Sequence, residues 1–170
     1  MDFEQVCKNR YSARDFSDKK VEKAKVMQIL DLIKLAPTAL NKQPYKILIA
    51  ENERAVEKLK NAKATLYGAP CAFIICSDRK NSWANRYSGE ENILIDIGIV
   101  AATAMYAATE YGLDSCCVCN FNPDLLRGEF DLPENLTADA LILLGYANGG
   151  SEPSERHFLR RSVEEFAQRV

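Results

Sequence analysis

The chain has one histidine, one tryptophan and three methionines in 170 residues. A Ser-His-Asp hydrolase would have to use His157, and no nucleophile motif surrounds a serine. An excess of basic charge is also lacking. Lys and Arg number 22 against 24 Asp and Glu, for a net charge of −2, and nucleic-acid binders usually carry a basic footprint. The N-terminus, MDFEQVCKNRYSARDF, has no apolar signal core, so no export is expected. The longest uncharged apolar run, Ile97 to Thr109, is too short to cross a bilayer. These absences point to a cytoplasmic protein with neither a nucleic-acid nor a membrane partner. No Gly/Ser linker, repeat or low-complexity tract divides the sequence, so residues 1–170 read as one domain.

What is present is a core. Apolar residues make up 47% of the chain, enough to fold rather than stay disordered. The six cysteines are Cys7, Cys71, Cys76, Cys116, Cys117 and Cys119. Without an export signal a disulfide framework is not expected. Cys116 and Cys119 form a C-x-x-C, but no helix start follows it and no second pair completes a zinc site. The cysteines read as small buried apolar residues, with Cys71 and Cys76 on opposite faces of one strand. No metal site is expected.

Spacing predicts helices over Phe3–Lys8, Val21–Leu35 (capped by Asp18 and ended by Pro37), Glu53–Ala64, Asn92–Tyr111 and Pro123–Phe130. Strands are predicted at Ile47–Ala50, Cys71–Ser77, Ser115–Cys119 and Ala140–Tyr146. Helices and strands mix without strict βαβ alternation, which gives an α+β fold, a layered sheet with helices on both faces. The helix over 92–111 is apolar nearly all round and rich in Gly98, Ala101, Ala102, Ala104, Ala107 and Ala108. One monomer of this size struggles to cover such a helix, so a homodimer interface is its natural second cover.

Two stretches carry chemistry. In RYSARDF, Arg10, Ser12 and Arg14 alternate with Tyr11, Ala13 and Asp15. In an extended segment, alternate side chains share a side. Two guanidinium forks and a hydroxyl suit a dianionic phosphate. A second basic run, Arg156-His157-Phe158-Leu159-Arg160-Arg161, could converge on the same phosphate. The other stretch is Ala36-Pro37-Thr38-Ala39-Leu40-Asn41-Lys42-Gln43-Pro44-Tyr45, a loop stiffened by two prolines. Thr38 and Asn41 offer polar groups suited to a planar heterocycle.

R-Y-S-A-R-D-F followed by A-P-T-A-L-N-K-Q-P-Y resembles the FMN-dependent nitroreductase family, compact branch. The likeness continues through Ala69-Pro70, Asp96-Ile97-Gly98, Gly112-Leu113-Asp114-Ser115, Leu144-Gly145-Tyr146 and Arg160-Arg161-Ser162-Val163-Glu164-Glu165. Each motif alone is weak, but the ordered series spans nearly the whole chain. The resemblance implies a nitroreductase-like layered fold with a central mixed or antiparallel sheet, assembled as an interlocked homodimer with flavins at the interface. Arg10, Tyr11, Ser12 and Arg14 would hold the FMN phosphate and ribityl chain, joined by Arg160 or Arg161. Pro37, Thr38, Ala39 and Asn41 would reach the flavin from the other subunit. Cys117, Val118, Cys119 and Asn120 would run along the isoalloxazine, with a backbone N–H near N5. Many members have an acidic residue and a glycine where this chain has Cys119 and Asn120, and a hydroxyl residue in place of Ala39.

The implied activity is electron transfer from NADH or NADPH through FMN to a quinone, nitroaromatic or similar acceptor, by a ping-pong mechanism. The flavin carries the chemistry and no side chain need act as acid or base. A flavin store or sensor without turnover, or other flavin chemistry such as fragmentation or dehalogenation, stays open at this point.

Overall fold

The computed structural model describes residues 1–170. Four strands form one antiparallel sheet: β1 (Tyr45–Ala50), β2 (Cys71–Asp78), β3 (Asp114–Val118) and β4 (Leu136–Gly145), in the order β1-β2-β4-β3. Six helices accompany it: α1 (Phe3–Asn9), α2 (Lys23–Ile33), α3 (Glu53–Asn61), α4 (Ile93–Glu110), α5 (Pro123–Glu129) and the one-turn α6 (Val163–Phe166).

The central strands are buried on both sides because helices cover both faces. Along β2, Cys71, Phe73 and Ile75 enter one core with α2 and α4. Ala72, Ile74 and Cys76 enter the other, on the side of α3 and α5. The opposed cysteines follow from period-two alternation. Helix α2 contributes Val26, Ile29 and Ile33 at helical spacing. It starts two residues later than the spacing predicts, and its N-cap is Glu22 rather than Asp18. The cause is tertiary: the Ser17 N–H donates to the Tyr146 carbonyl at 2.8 Å, and the Tyr146 hydroxyl donates to the Glu22 carboxylate at 2.5 Å. These bonds tie the segment ahead of the helix to the end of β4.

Strand β4 begins at Leu136, ahead of the predicted Ala140. The pairing with β2 slips between Ile75 and Cys76. Asp139 sits at that slip, and its carboxylate accepts the Ser77 N–H at 2.8 Å. A bulge carries one extra residue and disrupts the ladder locally, so the polar Asp139 breaks the apolar run without ending the strand.

Helix α4 is long and apolar enough to cross a membrane, yet it packs on α2 and the sheet. Val100, Ala101, Ala104, Ala107 and Ala108 are buried in the core. Leu94 and Ile95 remain 65% and 62% exposed. The helix is therefore covered on one face and uncovered on the other, rather than enclosed all round.

Candidate functional site

The segment 10–16 lies alongside β3 as an added extended edge. Ser12 bridges Ser115 in parallel, and the Ala13 N–H donates to the Ser115 carbonyl at 3.0 Å. Ala13 is fully buried and Tyr11 packs against the same core. Alternation then turns Arg10, Ser12 and Arg14 outward. Phe16 anchors the far end, at a point where space is tight. A Cβ on Gly145 would meet the Phe16 ring at 2.9 Å and Pro70 at 3.0 Å, so glycine is what lets the two segments close.

The C-terminal segment is carried to the same place. The Asn148 side-chain amide donates to the Asp15 carboxylate at 2.7 Å and to the Phe16 carbonyl at 3.3 Å. The Ala147 N–H donates to the Asp114 carboxylate at 2.8 Å. Asp114 and Ser151 also lie against the Tyr11 phenol, whose pKa is pushed up first by burial and then by the Asp114 charge. Beyond this clamp a 3₁₀ turn, Glu155–His157, faces the arginine segment. The result is a concavity of about 200 Å³ lined by Arg10, Tyr11, Ser12, Arg14, Ser154, Arg156, His157 and Arg160. No acidic side chain lines it, and none of these four arginines has a carboxylate partner.

Arg160 is the one of the two adjacent C-terminal arginines that reaches this concavity. Arg161 instead lies 5.9 Å from the Phe166 ring. Arg156 and His157, both in the basic run picked out from the sequence, join the cluster, and Ser154, which sequence reading missed, lines it with them. The signal was the length of the basic run, which one turn of 3₁₀ helix folds onto one side.

Further along β3, Cys117 is exposed and Val118 is buried. Cys119 and Asn120 follow, also exposed. Cys71, Cys76 and Cys116 are buried as expected, but Cys117 and Cys119 correct the general reading of buried cysteines. Strand β3 is the last strand of the sheet, and the 10–16 segment is bridged to it only at Ser115. Desolvation of the Cys117 sulfur, with the Cys119 thiol beside it, pushes its pKa up to about 11. The Asn120 side chain is turned away, its amide donating to the Thr65 hydroxyl at 3.2 Å. The Asn120 backbone N–H has no acceptor in the chain.

The loop bearing Pro37, Thr38, Ala39 and Asn41 lies elsewhere, between α2 and β1, and does not line the arginine concavity. Its shape is tightly determined. The Thr38 hydroxyl accepts the Gln43 N–H at 3.0 Å, and the Asp96 carboxylate accepts the Ala39 N–H at 3.0 Å. Sequence reading missed Asp96 as a functional support, although it opens α4 in one of the quoted motifs. Pro37 also borders a larger apolar groove of about 390 Å³ between α1, α2 and α4. The one cation on that groove, the Met1 ammonium, is already paired with Glu110 at 2.9 Å, so the chemistry is placed at the arginine concavity and the exposed end of β3.

The donor set fits a phosphate-bearing planar group: uncompensated guanidiniums and hydroxyls at one end, and an exposed strand with a free N–H at the other. A model of the Nitroreductase family matches residues 7–67 and 60–146. The chain belongs to the nitroreductase family. A solved nitroreductase family protein from Clostridium difficile 630 is 39% identical, with a TM-score of 0.91 over 99% of this chain and 98% of its own. An NADH dehydrogenase from Thermus thermophilus is 23% identical over 204 residues, covering 96% of this chain and 95% of its own. A protein of the same fold from Exiguobacterium sibiricum, solved in complex with FMN, is 20% identical with a TM-score of 0.86 over 100% of this chain and 98% of its own. At that identity the last likeness is one of fold. The nitroreductase fold expected from the sequence, α+β with helices on both faces of a central antiparallel sheet, is the fold observed.

Proposed function

We propose that residues 1–170 form a single FMN-binding domain that passes electrons from NADH or NADPH to a quinone, nitroaromatic or similar small acceptor. The observation that carries this reading is the convergence of Arg10, Ser12, Arg14 and Arg160 on one concavity without a carboxylate. Buried or clustered charge of one sign is costly unless a counter-charge arrives, and a phosphate monoester carries nearly two negative charges at neutral pH. FMN, when bound, supplies the hydride chemistry.

The chain's own residues bind and orient. Arg10 and Arg14 would hold the phosphate through their guanidinium forks, and the Ser12 hydroxyl would add a donor. Cys117, Val118, Cys119 and Asn120 form the platform for the ring system, and the Asn120 N–H is free to donate to it. Pro37, Thr38, Ala39 and Asn41 complete the site from a second copy of the chain, because the same chain does not bring them to its own arginines. This division makes the functional unit a homodimer. None of these residues need exchange a proton with the substrate.

The test is direct. The purified protein should be yellow, release FMN on denaturation and consume NADH or NADPH when a quinone or nitroaromatic is added. A yellow protein without turnover would make it a flavin store or sensor. A colourless protein that takes up no added FMN would end the reading.

A further inference from the structure

Alternation along a strand separates the cysteines at the end of β3 into two faces. Cys116 pairs across the ladder with Leu143, and Cys117 with Ile142. Leu143 belongs to the core on the side of α3 and α5, and Ile142 to the core on the side of α2 and α4. The C-x-x-C of the sequence is therefore divided. Cys116 is buried in the first core, and its thiol donates to the Cys117 carbonyl at 3.7 Å, whereas Cys119 is exposed. The pair that the fold brings together is a C-x-C instead. Cys117 and Cys119 are two residues apart, and their thiols lie side by side. Of the six cysteines they alone are exposed.

We infer that Cys117 and Cys119 are a dithiol that closes to an intramolecular disulfide when a hydroperoxide reaches it. Two residues of strand set their Cα atoms about 6.7 Å apart, inside the range of about 4.4–6.8 Å that a disulfide spans. Cys119 lies just past the last ladder pair, Val118 with Leu141, so it can move toward Cys117 without parting a strand pair. The Cys119 sulfur attacks the hydroperoxide. An S–O bond forms, the O–O bond breaks and an alcohol leaves, which makes a sulfenic acid. The Cys117 thiol then displaces the hydroxyl as water, and the S–S bond forms. Two thiols have given up two electrons and two hydrogens, and the hydroperoxide has become alcohol and water. Burial and the neighbouring thiol push the Cys117 pKa up to about 11. That makes it slow as a first nucleophile and gives the first attack to Cys119. A small dithiol reverses the closure by exchange and leaves as its own disulfide. Neither step uses a flavin, so the outcome is independent of the FMN reading.

The test uses the full-length protein, reduced, desalted and dialysed free of any flavin, with circular dichroism checking the fold. Cumene hydroperoxide is added and the intact mass is followed. The expected result is the loss of two hydrogens per chain, restored by dithiothreitol, with fragmentation of the unreduced peptide joining Cys117 to Cys119. Cys116→Ser should leave that loss unchanged. Cys117→Ser should stop at a sulfenic acid on Cys119, captured by dimedone, and Cys119→Ser should lose no hydrogens. An unchanged wild-type mass, under conditions that oxidise free glutathione, overturns the inference. A loss that survives Cys117→Ser or Cys119→Ser belongs to other cysteines and overturns it, as does a bond between two chains on a non-reducing gel. A loss seen only after unfolding in urea overturns it likewise, because the native fold would not then bring the pair together.

Discussion

Asp96, 5% exposed in the first turn of α4, accepts the backbone N–H of Ala39 at 3.0 Å. This bond ties the helix start to a loop that needs support. Leu40, Asn41 and Gln43 all have φ near +50°, a region in which a non-glycine residue pays roughly 1–2 kcal/mol. The loop holds that shape because tethers such as Asp96 and the Thr38 hydroxyl over-determine it.

Asp96→Ala should therefore cost about 1–3 kcal/mol, the penalty for stranding a partly buried N–H. Asp96→Asn keeps an oxygen acceptor and should recover most of the loss. Urea unfolding of the apoprotein measures both. Equal stability of the Ala variant and the wild type would remove Asp96 as a tether. If the loop serves the flavin, the Ala variant also binds FMN more weakly than the Asn variant.

Arg14→Ala should weaken FMN binding by roughly tenfold to a hundredfold, the loss of a charge-assisted contact worth about 1.5–3 kcal/mol. The fold should survive, since Arg14 is exposed and its backbone stays in the edge segment. Calorimetric titration of apoprotein with FMN reads this directly. Unchanged affinity would take Arg14 out of the site.

The thiols report on the platform without reference to turnover. Burial pushes Cys71 and Cys76 up to about 12, and Cys117 stands at about 11. Only the thiolate reacts with a disulfide reagent. A raised pKa keeps the thiol protonated to higher pH, so Cys117 labelling should be slow at pH 7 and rise about tenfold per pH unit up to its pKa. Cys71 and Cys76 should stay unlabelled until the protein unfolds. Saturating FMN should protect Cys117 in peptide maps of the labelled protein. Labelling at an undiminished rate would place the flavin elsewhere.

Much of this was legible in residue patterns, and what was not has physical causes. The alternation in RYSARDF forecast an inward and an outward side because Ala13 is too small and too apolar to face water there. The strand run Cys71–Ser77 was legible because both faces are covered. The start of β4 was not, because a bulge at Asp139 looks in sequence like the end of a strand. The cap of α2 was missed because Tyr146, more than a hundred residues away, fixes the chain ahead of it. Cys117 and Cys119 were read as buried because cysteine type is a guide to burial only where neighbouring elements cover the position, whereas Cys117 lies near the end of the last strand and Cys119 just beyond it. Asp96 resisted reading because its one recorded partner is a backbone N–H 57 residues distant.

Donor and acceptor using one face of the flavin in turn predicts ping-pong kinetics. Double-reciprocal plots at several acceptor concentrations should be parallel. Intersecting lines would mean that both substrates are bound together, and would require a second pocket beside the platform.

The last prediction concerns assembly, and the structure changes which residues test it. Small residues along α4 suggest Ala101 and Ala104 as partner-facing positions. They are 7% and 0% exposed, so a charge at either should unfold the chain rather than divide a dimer. The uncovered side of α4 carries Leu94 and Ile95, with Gly98 and Ala102 following at helical spacing. A Cβ on Gly98 would meet nothing within 4 Å. If a second copy covers this side and brings Pro37, Thr38, Ala39 and Asn41 to the arginine segment, then FMN binding and dimerisation are thermodynamically linked. Ile95→Arg or Ala102→Arg should then give a folded monomer that has lost its flavin. Circular dichroism checks the fold, and sedimentation read at the flavin band follows mass and cofactor together. The wild type should show a dimer whose dissociation constant falls as FMN is added. A folded monomer that still carries a full complement of FMN would mean that one chain builds the whole site.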